Sequence, residues 1–348
     1  MKKIVMIIAA LAIIFIILLS PGRERAVEHG FELEVIAENL DTLWAIDFLP
    51  DGTMIFTERD GRVSMVKNSE VHVIAQIEVN QRSESGLHGI AVDPEFERNN
   101  FVYVYYTHDA GNRVSRFFFK KNKLQEEFIL LDAIPHARFH DGGRVKFGPD
   151  GMLYVTTGDA TVPSTAQNIS SLAGKILRMN KDGSAPKGNP FGNYVYSYGH
   201  RNSQGLAWHP FTKELYASEH GPTRNDEINL ILKGENYGWP RECTESPDDY
   251  TTPLRCYTEF TLAPAGIAFY GNDLYVSALR GTQLRKITFG SDGQTIVSEE
   301  ELLSDLGRIR DAVAHDGYLY IATSNRDGRG LPKVDDDKII RIKILKNY

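Results

Sequence analysis

RVKFGPDGMLYVTTGDA, residues 144–160, reads as a strand, a tight turn and a second strand. Pro149 presets φ for the turn and Gly151 accepts a positive φ, so the chain reverses with a stated mechanism. The phrase returns on both sides of this stretch. Towards the N-terminus it is GIAVDPEFERNNFVYVYYT from Gly89 and AIDFLPDGTMIFTERDG from Ala45. Towards the C-terminus it is GLAWHPFTKELYASEHG from Gly205, GIAFYGNDLYVSALRG from Gly266 and DAVAHDGYLYIATSNRDG from Asp311. Period-2 alternation dominates, as in Phe101-Val102-Tyr103-Val104-Tyr105-Tyr106. One strand phrase recurring at intervals of about 40–60 residues predicts an all-β chain, a six-bladed β-propeller of four-stranded antiparallel blades. Only Gln125–Leu131 and Ser298–Leu303 read as short helical turns.

The repeat runs from Ala45 to the last strand, KIIRIKIL, without a linker or low-complexity tract in the 348 residues, so residues 30–348 are expected to form one propeller domain. A net charge of −7 and the absence of a basic, aromatic-studded stripe argue against a nucleic-acid partner. Residues 1–25 differ. Met1-Lys2-Lys3 precedes an uncharged apolar run from Ile4 to Leu19, then Ser20-Pro21-Gly22. A basic start followed by an apolar run is an export signal. The run is long for a cleaved signal core and short for a spanning helix, and no small-x-small cleavage site follows it. The segment is therefore read as a signal that stays as an anchor. The propeller would lie on the extracellular or periplasmic side and touch the membrane only through this segment. Cys243 and Cys256 share one loop-like stretch, which in an exported protein predicts a disulfide.

In a propeller, loops from one end of every blade meet at the axis, so residues distant in sequence become one constellation. His140-Asp141-Gly142-Gly143 leads into a strand, and the following hairpin ends at Asp159. A carboxylate there could hold the imidazole in one tautomer and make His140 a usable base. Arg201 and Asn202, in a Gly-bounded loop, suit a carboxylate or carbonyl ligand. Gly221-Pro222 leaves two carbonyls free for a hard cation, with Asp226 close behind, which is calcium chemistry rather than zinc. Arg280 ends one hairpin, while Arg308 and Arg310 fall on one face of the last inner strand. Two guanidiniums so placed repel unless an anion lies between them. Alone, the His140 and Gly221-Pro222 loops read more readily as surface turns and the Arg201 loop equally well as one, while the arginine pair favours an anion. Together they suggest a planar, multiply anionic cofactor over a cation.

The segments GLHGIAVDPEF, RFHDGGRVKFGPDGMLYVTTGD, YGHRNSQGLAWHP, EHGPTRNDEINLILKGENYGWP, SALRG and GRIRDAV together resemble the soluble pyrroloquinoline-quinone (PQQ)-dependent glucose/sorbosone dehydrogenases, the aldose sugar dehydrogenases. The resemblance spans Leu40 to Ile344 and implies the same six-bladed propeller. It implies oxidation of an aldose at C1 to a lactone, with PQQ and Ca²⁺ as cofactors and an external electron acceptor. It also implies residue roles. His140 would be the general base, oriented by Asp159, and Arg201, also catalytic, and Asn202 would contact PQQ and the oxygen that gains charge as hydride arrives. The carbonyls of Gly221 and Pro222 would bind Ca²⁺, with Asp226 supporting their loop. Arg280, Arg308 and Arg310 would neutralise the PQQ carboxylates, and Glu84 would face the cofactor. His88 departs from the pattern, standing where many relatives are apolar, and the chain lacks room for long dimer-forming insertions, so a monomer is expected. Two other classes compete: a metal-dependent propeller lactonase, and an exported propeller that binds partners without catalysis.

Overall fold

The computed structural model describes residues 25–28, 30–245 and 249–345. Five four-stranded sheets and one five-stranded sheet surround an axis, all with antiparallel pairing. The innermost strands are Leu43–Phe48, Leu87–Val92, Val145–Phe147, Ser203–Trp208, Pro264–Tyr270 and Ile309–His315, which open blades 1 to 6 in order. The expected propeller is thus present. The sequence phrase is the inner pair of each blade. In blade 3, Val145 pairs with Val155 and Phe147 with Leu153. The turn between them is closed by Gly148 N–H to Met152 O at 2.9 Å, with Gly151 at φ 72°. Blade 1 repeats the turn with Leu49 N–H to Thr53 O at 2.9 Å and Gly52 at φ 81°.

Packing explains why the strands carry so much aromatic and β-branched residue. Six buried clusters occur among the described residues, and each joins neighbouring blades. Trp44, Ile55, Leu87 and Val102 join blades 1 and 2, and Tyr105, Val145 and Val155 join blades 2 and 3. Ile46 and Phe56 meet Tyr320 and Ile339 where blade 6 returns to blade 1. Sheets stacked face to face in this way bury both faces of the inner strands and leave only short edges. The ring is closed by the chain's own beginning. Phe31–Ala37 pairs with Ile339–Ile344, with Phe31 opposite Ile344 and Val35 opposite Ile340. Arg25–Glu28 adds a fifth strand outside it.

The two expected helical turns are strands. Lys123–Ile134 is the outer strand of blade 2 and Ile296–Leu302 the outer strand of blade 5. The first pairs with register shifts at Gln125/Phe128, Ile129/Leu131 and Leu131/Ile134, which break the period of two. Outer strands also face solvent, leaving Phe128 51 % exposed, so hydrophobic alternation marks them weakly. The described helices are instead a single turn at Phe96–Asn99 and a 3-10 turn at Pro163–Gln167. The signal/anchor expectation for residues 1–25 lies outside the described residues, apart from Arg25. Among the described residues no helix is long and apolar enough to cross a membrane. Cys243 and Cys256 form the expected disulfide, with Cα atoms 6.1 Å apart.

Candidate active site

Each inner strand starts at the same face of the ring where its partner strand ends, so the singled-out loops gather on one face. His140 sits just before the inner strand of blade 3, at φ 64°. Its Nδ1 lies 2.7 Å from Asp159 Oδ1, beyond the second strand of the same blade. A Cβ on Gly158 would lie 1.8 Å from the His140 carbonyl, so glycine is required for this approach. The Asp159 side chain is 1 % exposed and the His140 side chain 18 %. Asp159 also accepts from Thr161 N–H at 2.8 Å and from the Trp239 indole Nε1–H at 2.8 Å. With Nδ1 donating to Asp159, the reachable Nε2 carries the lone pair.

Blade 4 supplies the next wall. Asn202 accepts the Gly142 N–H on Oδ1 at 3.0 Å, which ties it to the Gly-Gly stretch after His140. Arg201 donates from Nη1 to the His220 carbonyl at 3.1 Å and lies 5.3 Å from the Trp239 ring. Its backbone N–H donates to the Glu219 carboxylate, whose other oxygen lies 2.8 Å from His200 Nδ1. Glu84, ahead of blade 2, accepts the His140 N–H at 3.2 Å and pairs with Arg329 at 2.7 Å. Burial opposes its ionisation, but His220, Arg329 and the His140 N–H draw its pKa down to about 2. Burial itself holds His220 down at about 3 and therefore neutral. At neutral pH, Arg329 and the His140 amide are what keep Glu84 charged.

The arginines at the head of blade 6 differ from the expected uncompensated pair. Arg308 is clamped by Asp327, with Nε and Nη2 at 2.8 and 2.7 Å from Oδ2, and donates to the Leu279 carbonyl at 3.1 Å. Its charge is therefore answered from within the chain. Arg310 is not so answered: it is 6 % exposed and donates from Nη1 to the Gln204 amide oxygen at 2.6 Å. Burial pushes its pKa down to about 9, a sign of how much a nearby anion would gain. Arg280 stands apart from this pair, exposed after the second strand of blade 5.

Asp226 supports the Gly221 loop as expected. Its carboxylate accepts the N–H groups of Gly221, Leu262 and Ala263 at 2.9, 2.7 and 2.8 Å. Those three bonds occupy both oxygens, so it braces the loop from behind. Among the described residues, the carbonyls of Gly221 and Pro222 accept no hydrogen bond, while the flanking His220 and Thr223 carbonyls do. No three His, Cys, Asp or Glu side chains converge on one point among the described residues, so a cation here would rely on main-chain oxygens.

Sequence reasoning missed Trp239, Asp327, Gln204 and Arg59. Arg59 follows the second strand of blade 1 and donates to the Asp327 carbonyl at 3.3 Å. Trp239 lay within the quoted NYGWP segment, yet only the fold brings it to Asp159, 80 residues away. Among the described residues, the donors buried without a partner on this face include Arg59 Nε, Arg201 Nε, Arg310 Nε and Asn202 Nδ2. Buried donors left unpaired are costly, and they mark where a ligand with several acceptor oxygens fits. A groove of about 550 Å³ at the outer rim between blades 1 and 2, lined by Tyr106, Arg113, Phe117 and Glu127, includes none of these residues.

His88 is 2 % exposed beneath this face, between Trp44 and Tyr105, and bonds the Glu84 carbonyl through Nε2 at 2.9 Å. Burial lowers its pKa to about 4. The unfolded chain therefore takes up a proton near pH 6.5 that the folded chain refuses until about pH 4. Stability is full above pH 6.5 and falls as the pH drops through this window. By pH 5 His88 should cost about 2 kcal/mol relative to pH 7. Urea unfolding of wild type and His88→Gln at pH 7 and pH 5 checks this: the variant should lose less between the two. Equal losses would refute it.

The family model for Glucose / Sorbosone dehydrogenase matches residues 40–340. The chain belongs to this family. Among curated relatives of the glucose/sorbosone dehydrogenases, aldose sugar dehydrogenase YliI of Escherichia coli is 29 % identical over 339 residues, covering 85 % of this chain and 91 % of its own. The PQQ-bound aldose sugar dehydrogenase of Streptomyces coelicolor is 34 % identical with a TM-score of 0.85, covering 90 % of this chain and 98 % of its own. A Thermus thermophilus oxidoreductase described as a glucose dehydrogenase is 42 % identical with a TM-score of 0.87, covering 90 % of this chain and 100 % of its own. This member of the glucose/sorbosone dehydrogenases is thus an oxidoreductase of the aldose sugar dehydrogenase kind.

Proposed function

We propose that the protein oxidises aldose sugars at C1 to lactones, with PQQ and Ca²⁺ bound on the site face. The observation that carries this reading is the His140–Asp159 couple set among unpartnered buried donors. Arg310, Arg59, Arg201 and Asn202 would hold the carboxylates and carbonyls of the cofactor, with Arg308 beside them and Arg280 at the rim. The free carbonyls of Gly221 and Pro222 would hold the cation, and Glu84 would fix the His140 backbone. When bound, PQQ supplies the two-electron acceptor for a hydride from C1. His140 Nε2 takes the proton of the C1 hydroxyl as the C1–H bond breaks, and the C1=O bond of the lactone forms. Asp159 holds the ring in the tautomer that leaves Nε2 free and steadies the imidazolium that results. An acceptor outside the protein would take up the two electrons.

The disulfide agrees with an exported protein. We assign residues 1–25 as the segment that exports and anchors a monomeric propeller. The gathered cationic and imidazole side chains favour redox chemistry over the lactonase reading, which calls for carboxylates on an axial metal. The test is dye reduction by a protein starting after Arg25, across a panel of aldoses, with and without PQQ and Ca²⁺. Activity should require both additions, and stripping Ca²⁺ with a chelator should abolish it. Lactone hydrolysis without PQQ, and no dye reduction with any sugar, would overturn the proposal.

A further inference from the structure

Lys175 begins the third strand of blade 3, Lys175–Met179, and is fully buried. Its ammonium donates to three carbonyls, Thr165 at 2.9 Å, Ala166 at 2.9 Å and Ala173 at 2.6 Å. None of the described carboxylates pairs with it. Burial alone pulls its pKa down to about 7. A buried cation without a counter-ion is a poor way to gain stability, so what it holds in place is informative.

It holds the 3-10 turn Pro163–Gln167 that follows Asp159. The turn is bonded back to Asp159, whose carbonyl accepts from Val162 N–H at 2.9 Å and Thr165 Oγ1 at 3.3 Å. The Ala166 carbonyl also accepts the Gly199 N–H at 3.0 Å, at the entrance to the Arg201 loop. Gln167, the last residue of the turn, donates from Nε2 to the Trp239 carbonyl at 2.6 Å and to Asn236 Oδ1 at 3.0 Å. Trp239 then donates its indole N–H to Asp159 Oδ2. The path is a closed circuit: Lys175, the turn, Gln167, Trp239, Asp159 and the turn again.

We infer that Lys175 is a positioning residue for the His140–Asp159 couple, acting through the Pro163–Gln167 turn and the Trp239 indole. Only the polar head of Lys175 is needed for this, since three carbonyls from two chain segments converge on one tripod of N–H donors. The inference rests on Asp159 serving as the carboxylate that orients His140.

The first readout uses cofactor-free protein, so a protein inactive with every sugar would sink the dehydrogenase reading without touching this result. The chain has three tryptophans, Trp44, Trp208 and Trp239. ¹⁵N-indole labelling gives one N–H resonance each, and Trp239→Phe assigns the relevant one. Lys175→Met should speed hydrogen exchange of the Trp239 indole by about tenfold or more, with Trp44 and Trp208 within about twofold of wild type. Lys175→Gln, which keeps an amide donor, should give an intermediate rate. Gln167→Met, which leaves every Lys175 bond intact, should loosen the same resonance; these two variants keep the test decisive if Lys175→Met does not fold. With PQQ, Ca²⁺ and sugar, Lys175→Gln should lower kcat with little change in KM, and the loss should disappear in a Trp239→Phe background. Unchanged Trp239 exchange, equal acceleration of all three indoles, or kcat losses that simply add would each overturn the inference.

Discussion

His140→Ala should lower kcat by about 10²–10⁴-fold and leave the Kd for PQQ within about threefold of wild type. The expectation follows from what the side chain does and does not touch. Its Nδ1 is committed to Asp159, which leaves Nε2 as the ring nitrogen free to accept, on a side chain 18 % exposed. Its backbone is held separately, by Glu84 on the N–H and by the Ala160 N–H on the carbonyl, so truncation leaves the loop standing. The buried, unpartnered donors proposed to hold the cofactor belong to Arg59, Arg201, Asn202 and Arg310, which the substitution leaves in place. Stopped-flow reduction of the PQQ-loaded enzyme by sugar, paired with a PQQ titration, separates the two quantities. Turnover near wild type would remove His140 as the base.

Arg310→Met should do the reverse: weaken PQQ binding by about 10–100-fold while the cofactor-free protein becomes no less stable. Among the described residues Arg310 makes an ion pair with no carboxylate, and one of its N–H groups is buried without an acceptor. Removing a cation in that state relieves desolvation and leaves no charged partner stranded; only the Gln204 amide loses a donor. The same change at Arg308 would strand the buried Asp327 carboxylate, so its effect on folding would mask its effect on binding. Thermal melts of the apo variant and a PQQ titration give both signs. A destabilised apo protein with unchanged PQQ affinity would make Arg310 a structural residue and end the anion-clamp reading.

The blade phrase was legible because strand alternation and turn chemistry are local: Pro149-Asp150-Gly151 and Val145/Val155 lie within a few residues of each other. The site loops were legible for the same reason, since they cap those strands. Pairings made to loops beyond the hairpin, or between blades, were not. Arg308 reads as an uncompensated charge because Asp327 lies beyond the next strand. Arg310 meets Gln204 across 106 residues, and Trp239 meets Asp159 across 80. No short-range pattern encodes such contacts. The outer strands of blades 2 and 5 were misread because bulges and solvent exposure remove the alternation that makes inner strands recognisable.

The strand Phe31–Ala37 finds its partner about three hundred residues later, in Ile339–Ile344. That pairing can form only once the last blade has emerged, whichever way the others assemble. Contacts of such separation are slow to make, and they leave a sheet edge open while the chain waits. For a chain read as crossing a membrane before it folds, late closure is an advantage: until the final strand arrives no ring can lock on the wrong side. The same feature makes the last strand the latch of the whole site, since blades 6 and 1 carry Arg308, Arg310 and Arg59.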